Sequence, residues 1–156
     1  MKETDHTALV TTYCSRDKDP SPGLLPAGDR YRSLRIRAAG EAASRLGLGF
    51  RILSGLYGLI EQDRKIPDYD HLLTSAQVPD HAEKLAGQLA ASHARRVVFI
   101  TRSLAEDPAT GPYRQAMLQA CSATRLECGI LEIKPGEPSI SELVGRIISL
   151  QGPDLG

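Results

Sequence analysis

The chain has 156 residues, a length that fits one domain, since two halves would each be short of core. Hydrophobic residues at 41% and charged residues at 24% are ordinary for a globular protein and exclude disorder over most of the length. Nineteen basic side chains against nineteen acidic ones argue against a non-specific DNA coat, which needs a broad basic face.

No apolar run reaches the roughly 20 residues of a membrane-spanning helix. The segment from Met1 to His6 has no apolar stretch of the kind a secretory signal carries. The thiols Cys14, Cys121 and Cys128 are odd in number and spaced unlike a disulfide framework or a zinc cluster, so a reduced, cytoplasmic setting is expected.

Residues 8–13 are short, β-rich and bounded by polar groups, which predicts a buried strand. A loop with Pro20, Pro22 and Pro26 follows. Over residues 29–46, Tyr31, Leu34, Ala38, Ala42 and Leu46 recur every three or four positions, the period of a one-sided helix stopped by Gly47 and Gly49. Residues 50–54 predict a second strand ending in Gly55. Residues 56–78, with Gly58, Pro67 and Tyr69, show little periodicity and are too long for an idle connection. A helix is expected over 79–94 (Ala82, Leu85, Ala86 and Leu89 inward), a strand over 96–101, a helix over 110–124 and a strand over 126–133. Ser139 and Glu142 form a capping box ahead of a last helix whose buried stripe is Ile140, Leu143, Val144, Ile147 and Ile148. The end, 152–156, is expected to fray from a single α/β domain spanning 1–151. Strict alternation predicts a three-layer α/β/α, Rossmann-like domain with a mostly parallel sheet of four or five strands.

Three familiar motifs fail. Gly23 to Gly28 has Walker spacing but continues with Asp29-Arg30, without the lysine and hydroxyl that hold phosphate and magnesium. Gly47 and Gly49 precede a strand, whereas a dinucleotide fingerprint follows one. Ser54 lacks the flanking glycines of a nucleophile elbow. His6, His71, His81 and His93 show no metal-ligand spacing, so neither metal nor cofactor is expected.

Fold geometry supplies the remaining signal, because ligands of open parallel sheets bind outside the carboxyl ends of the strands. Those ends carry Tyr13-Cys14-Ser15-Arg16-Asp17-Lys18, Ser54-Gly55-Leu56-Tyr57-Gly58 and Thr101-Arg102-Ser103, and the long loop adds Asp68-Tyr69-Asp70. Four of the five tyrosines (13, 31, 57 and 69) lie in or beside these segments. Aromatic faces stack on planar bases, and cationic side chains with glycine-freed amides bind phosphate or carboxylate.

Several of these residues carry a resemblance. Tyr13-Cys14-Ser15 with Lys18, Pro26-Ala27 leading to Tyr31 and Ser33, the run from Ile52 to Ile60 and the Ile66-Pro67, Tyr69-Asp70 pair resemble the YaaA-like family of bacterial domains. The run Leu53 to Leu59 is similar to that of the YaaA peroxide-stress proteins, and the Cys14 to Lys18 spacing to a motif of archaeosine synthase. The likeness covers Ala8 to about Leu73. The chain departs from it at Thr101-Arg102-Ser103, where a glycine-rich strand end followed by a tyrosine is expected, and Tyr113 comes later. The resemblance implies nucleobases, nucleic-acid modification and a stress response.

The first functional expectation is therefore an enzyme acting on a nucleobase, nucleoside or nucleotide, at the N-glycosidic bond or an exocyclic substituent. Lys18 would be the anion clamp or the nucleophile and Asp70 the general acid/base. Cys14, Ser15, Tyr31, Ser54, Gly55, Tyr57, Gly58 and Tyr69 would bind the ligand. Lys18 as a solvated loop residue and Asp70 as a helix cap before His71 are the competing structural readings. The alternative is a non-catalytic nucleic-acid-binding protein of the oxidative-stress response, with Arg30, Arg32, Arg35 and Arg37 touching phosphates; such arginines more often form a solvated face. Redox sensing through Cys14 ranks last, since no resolving cysteine is near in sequence.

Overall fold

A computed structural model describes residues 8–136 and 138–151, so the segment 1–6 and the end 152–156 discussed above lie outside the described residues. In chain order the strands are β1 (Ala8–Tyr13), β2 (Leu25–Pro26), β3 (Gly49–Ser54), β4 (Gly58–Ile60), β5 (Lys65–Ile66), β6 (Arg96–Thr101) and β7 (Glu127–Glu132). The helices are α1 (Ala27–Arg30), α2 (Leu34–Leu46), α3 (Val78–Ser92), α4 (Gly111–Thr124) and α5 (Ile140–Gln151). Every residue of β1 is buried, as expected of a central strand covered on both faces. It pairs in parallel with β3 on one side and β6 on the other, and β6 pairs in parallel with β7.

The main sheet runs β4-β3-β1-β6-β7. Moving from β1 to β3 and then back across β1 to β6 reverses the direction of travel, and right-handed crossovers then place α2 and α3 on opposite faces. In agreement, α2 packs with α5 on one face and α3 with α4 on the other, giving the three-layer α/β/α architecture expected. Ala38, Ala39, Ala42 and Ala43 let α2 approach the sheet closely, while Leu85, Leu89 and Met117 fill the other side. No helix among the described residues is long and apolar enough to cross a membrane.

The predicted helix over 29–46 is two helices. The chain turns extended at Tyr31, and Ser33 caps α2 by accepting the Ile36 N–H at 3.1 Å. Leu34, expected inside, is 54% exposed, and Arg35 takes the buried position instead. Ile148 of the last helix is likewise exposed at 51%, while Leu143 and Ile147 are buried. The weakly periodic stretch 56–78 contains β4, which adds an antiparallel edge to β3, and β5, which pairs with β2. Cys121 on α4 and Cys128 on β7 are free and lie close enough for the Cys121 thiol to donate to Cys128, which raises the first pKa and lowers the second.

The loop between β1 and β2 has no regular ladder of its own, and Arg30 organises it. Its Nη1 donates to the carbonyls of Asp19 (2.6 Å) and Ser21 (2.9 Å), and its Nη2 to those of Gly23 (2.6 Å) and Ile66 (3.2 Å). The side chain is fully buried, so the expected solvated arginine face does not exist at this position. Burial is tolerated because a guanidinium can satisfy several otherwise orphaned carbonyls at once. Residues 17–19 then lie against 30–32, with the Arg32 N–H on the Asp17 carbonyl and the Asp19 N–H on that of Arg30. This fixes the backbone of Lys18. Replacing Arg30 by Met should lower the unfolding free energy by about 2–4 kcal/mol, because four carbonyls lose a charged donor in one step. Arg30→Lys should recover little of it, since an ammonium concentrates three donors at one point. Urea denaturation of the three proteins reads both effects.

Candidate functional site

The connections leaving β1 and β6 pass to opposite faces of the sheet, which opens a crevice between their carboxyl ends. A cleft of about 490 Å³ occupies that place. The segment 13–18 forms one wall, Arg32 to Arg35 at the start of α2 another, Asp70 to Leu72 a third, and Arg102, Asp107, Ala109 and Tyr113 the fourth. Five cationic side chains (Arg16, Lys18, Arg32, Arg35 and Arg102) face three carboxylates (Asp17, Asp70 and Asp107). The cleft is positive although the chain is neutral.

Arg35, like Arg30, departs from the solvated face expected of it and is 5% exposed. Its Nη1 donates to Thr12 Oγ1 and to the Tyr13 carbonyl, both at 2.6 Å, and its Nη2 to the Cys14 carbonyl at 3.2 Å. Its guanidinium carbon lies 3.5 Å from the centre of the Tyr13 ring. No carboxylate forms an ion pair with it among the described residues. Burial lowers its pKa to about 10, which leaves it charged at neutral pH. The signal was present as spacing: Arg35, Ala39 and Ala42 or Ala43 follow the same helical face, with the arginine at its N-terminal end.

Tyr13 donates to Asp107 Oδ2 at 3.2 Å, and burial raises its pKa. Arg102 lies beside Glu106 at 3.7 Å, and its carbonyl accepts from Arg114, which is held in turn by Glu132 at 2.9 Å. Tyr113, buried on α4, accepts the Leu73 N–H at 3.1 Å and meets the Cys14 thiol at 3.7 Å. Burial raises the Tyr113 pKa as well. Arg102, Asp107 and Tyr113 come from the half of the chain that the resemblance does not cover, which is why motif reading did not assign them.

Of the predicted site residues, Lys18, Asp70, Cys14 and Ser15 line this one cleft. Lys18 is half-buried, with Nζ 4.8 Å from the centre of the Tyr69 ring and 5.9 Å from that of Tyr31. It makes no hydrogen bond or ion pair with any described residue. Asp70 is exposed and equally unpaired, and it caps no helix: the next turn begins at Ser75, after Thr74. Ser15 Oγ donates to the Asp17 carbonyl at 2.7 Å and tightens the bend before Lys18.

Tyr31, Ser54 and Tyr69 form a hydroxyl cluster behind the cleft instead of lining it. Ser54 Oγ accepts the N–H groups of Leu56 (3.1 Å) and Tyr57 (3.0 Å), which fills its lone pairs. Its proton therefore goes to Tyr69 Oη at 2.7 Å, and the Tyr69 and Tyr31 hydroxyls are hydrogen-bonded to each other. Burial raises the pKa of both tyrosines, so they stay protonated at neutral pH. Tyr57 packs edge-on against Tyr69 with centres 5.3 Å apart, and Arg64 covers its ring. Gly55 and Gly58 shape the turn between β3 and β4. Gly58 has φ +79°, and a Cβ on Gly55 would sit 2.8 Å from Tyr113 Oη and 3.2 Å from both the His71 carbonyl and the Leu73 nitrogen.

Comparison with protein-family models, curated proteins and solved structures finds no match to this chain.

Gly55→Ala should destabilise the protein by about 1–3 kcal/mol, the range of an overpacked core, since two of the three obstructing atoms are backbone. The urea midpoint checks this. His81 supplies a pH prediction. Its Nε2 meets the Ser54 carbonyl at 2.9 Å, and burial lowers its pKa, with Lys84 and His71 acting in the same direction. A depressed histidine pKa means that the unfolded chain binds the proton more tightly. Stability should therefore fall as pH drops through the unfolded value of about 6.5. The slope of unfolding free energy against pH between 7.5 and 5.5 should flatten in His81→Gln, whatever the variant's absolute stability, as chemical denaturation across that range (about two units) would show.

Proposed function

We propose that the cleft binds a nucleobase, nucleoside or nucleotide and that the protein acts on it with Lys18 and Asp70. One observation carries this reading: two unpaired, oppositely charged side chains share one crevice with Cys14 and Ser15 at the switch point between β1 and β6. Unpaired charges held in a cleft favour a ligand that completes them. Lys18 is fixed at the backbone by pairing with residues 30–32, and at the side chain by the Tyr69 ring. It is built to meet an anionic or electron-rich group. Asp70 lies on the opposite connection, after β5, and supplies the acid or base of proton transfer at a base or glycosidic nitrogen. The buried tyrosines, kept neutral, offer no phenolate base. The resemblance of residues 13–18 and 52–70 to the YaaA-like family supports the same ligand class and a role in nucleic-acid modification or the stress response. A reduced cytoplasmic setting fits the free thiols.

Lys18→Ala should weaken binding of an anionic nucleotide by about 1.5–3 kcal/mol, the scale of a hydrogen bond to a charged group. Asp70→Asn should leave affinity nearly intact and lower turnover, as for a group that works in the transition state. Calorimetry of nucleobases, nucleosides and nucleotides against wild type and both variants is the test. Absence of binding to the wild type, or equal binding and turnover by all three proteins, would remove this assignment.

A further inference from the structure

Arg35, on the first turn of α2, and Arg102, just past the end of β6, stand at the carboxyl ends of the two strands that define the crevice. Arg35 is bound to the last carbonyls of β1, and Arg102 is the first residue after β6. The Arg35 guanidinium is held from behind by Thr12, Tyr13 and Cys14, and the Arg102 backbone, not its side chain, is held by Arg114. The two charges repel across the cleft, and the Arg102 charge acts on Arg35 in the direction that disfavours its cationic form. Arg35 forms no ion pair among the described residues, though the Asp107 charge favours its cationic form, and Arg102 has one long ion pair. Asp107 is engaged by Tyr13, and Glu106 touches Arg102 at only 3.7 Å. A buried cation facing a second cation is costly unless an anion sits between them. The N-terminal turn of α2, capped by Ser33, opens onto the same space and adds its partial positive charge.

We propose that the β1/β6 crevice is a phosphate site in which Arg35 and Arg102 bracket a phosphomonoester, so that the ligand class is the free nucleoside monophosphate. The proposal rests on the nucleotide reading above for the base, whose place is toward Lys18 and Asp70, but not for the phosphate. Guanidinium groups on two walls match the tetrahedral oxygens of a dianion, which a single carboxylate does not span. A phosphodiester inside a nucleic-acid strand carries one charge and two bulky substituents, so it matches two facing guanidinium groups less well than a terminal phosphate does.

The probes are ribose 5-phosphate, the four common ribonucleosides, their 5′-monophosphates and a single-stranded oligonucleotide, each titrated by calorimetry. Arg102→Gln is the informative variant, because Arg102 is 27% exposed and its loss spares the core, whereas Arg35→Gln also removes donors from β1. Arg37→Gln, exposed on α2 and outside the cleft, is the control. Ribose 5-phosphate should bind the wild type and the control equally, and Arg102→Gln should bind it about ten- to a hundredfold more weakly. At least one monophosphate should bind more tightly than its nucleoside and than the oligonucleotide. Saturable ribose 5-phosphate binding that is indifferent to Arg102, its absence from the wild type, or an oligonucleotide preferred over every monophosphate would overturn the phosphate site. Nucleoside binding that depends on Lys18 would then still stand. Conversely, Arg102-dependent ribose 5-phosphate binding with no gain from any base, and no effect of Lys18→Ala, would keep the phosphate site and end the nucleotide reading.

Discussion

The irregular backbone that follows β1 has carbonyls with no strand or helix to receive them, and two buried guanidinium groups answer that demand. Arg30 gathers the carbonyls of the 19–23 loop and of Ile66, and Arg35 gathers those of Tyr13 and Cys14. Water cannot do this inside the fold, and neutral side chains bring too few donors. The consequences run outward from there. Pinning 19–23 fixes the pairing of 17–19 with 30–32, which places Lys18, while pinning the end of β1 shapes the floor of the crevice. Both arginines are thus structural donors, and one of them also gives the cleft its charge.

The sheet was legible because its strands are short apolar runs in strict alternation with one-sided helices. Residues 8–13 and 96–101 show this best, and they are the two strands that frame the cleft. The split of the first helix was not legible. Tyr31 and Leu34 fit a helical stripe by spacing, and only tertiary pairing of 30–32 with 17–19 decides that the chain is extended there. Leu34 then turns outward and Arg35 inward, an inversion of the ordinary preference that carbonyl satisfaction explains and hydropathy cannot. The short strands β4 and β5 escaped notice because two or three residues do not establish a period. Half the cleft was found from strand ends, Arg102 among them; Asp107 and Tyr113 had no motif to announce them.

The segment 54–58 illustrates how a specific-looking run can be architecture. Ser54 closes the turn with its hydroxyl, Gly55 leaves room for Tyr113 and the 71–73 backbone, and Gly58 adopts a positive φ. At Gly58 a Cβ would also collide with Gln88, whose amide holds Leu59 and Tyr57. None of the five residues lines the cleft. Their effect on it is indirect: the turn lets Ser54 hold Tyr69, and the Tyr69 ring in turn receives Lys18. Spacing of this kind is constrained by packing as tightly as any binding motif, so it marks a fold position before it marks a chemistry.

The charge of the cleft follows from the same economy of donors. Tyr13, Tyr31, Tyr69 and Tyr113 all have pKa values raised by burial, so near neutrality they contribute hydroxyls and no negative charge. Arg35, although lowered to about 10, remains cationic there. The positive field is therefore set by guanidinium groups that do not titrate in the physiological range. Under the proposed function, anion recognition and proton transfer would fall to separate walls of the cleft. The guanidinium groups lie at the ends of β1 and β6, while Asp70, unpaired and exposed, stands on a separate wall away from the core. A cleft in which Arg35 carried the buried charge with a carboxylate partner would lose that separation, because the partner would cancel the field that an anion requires.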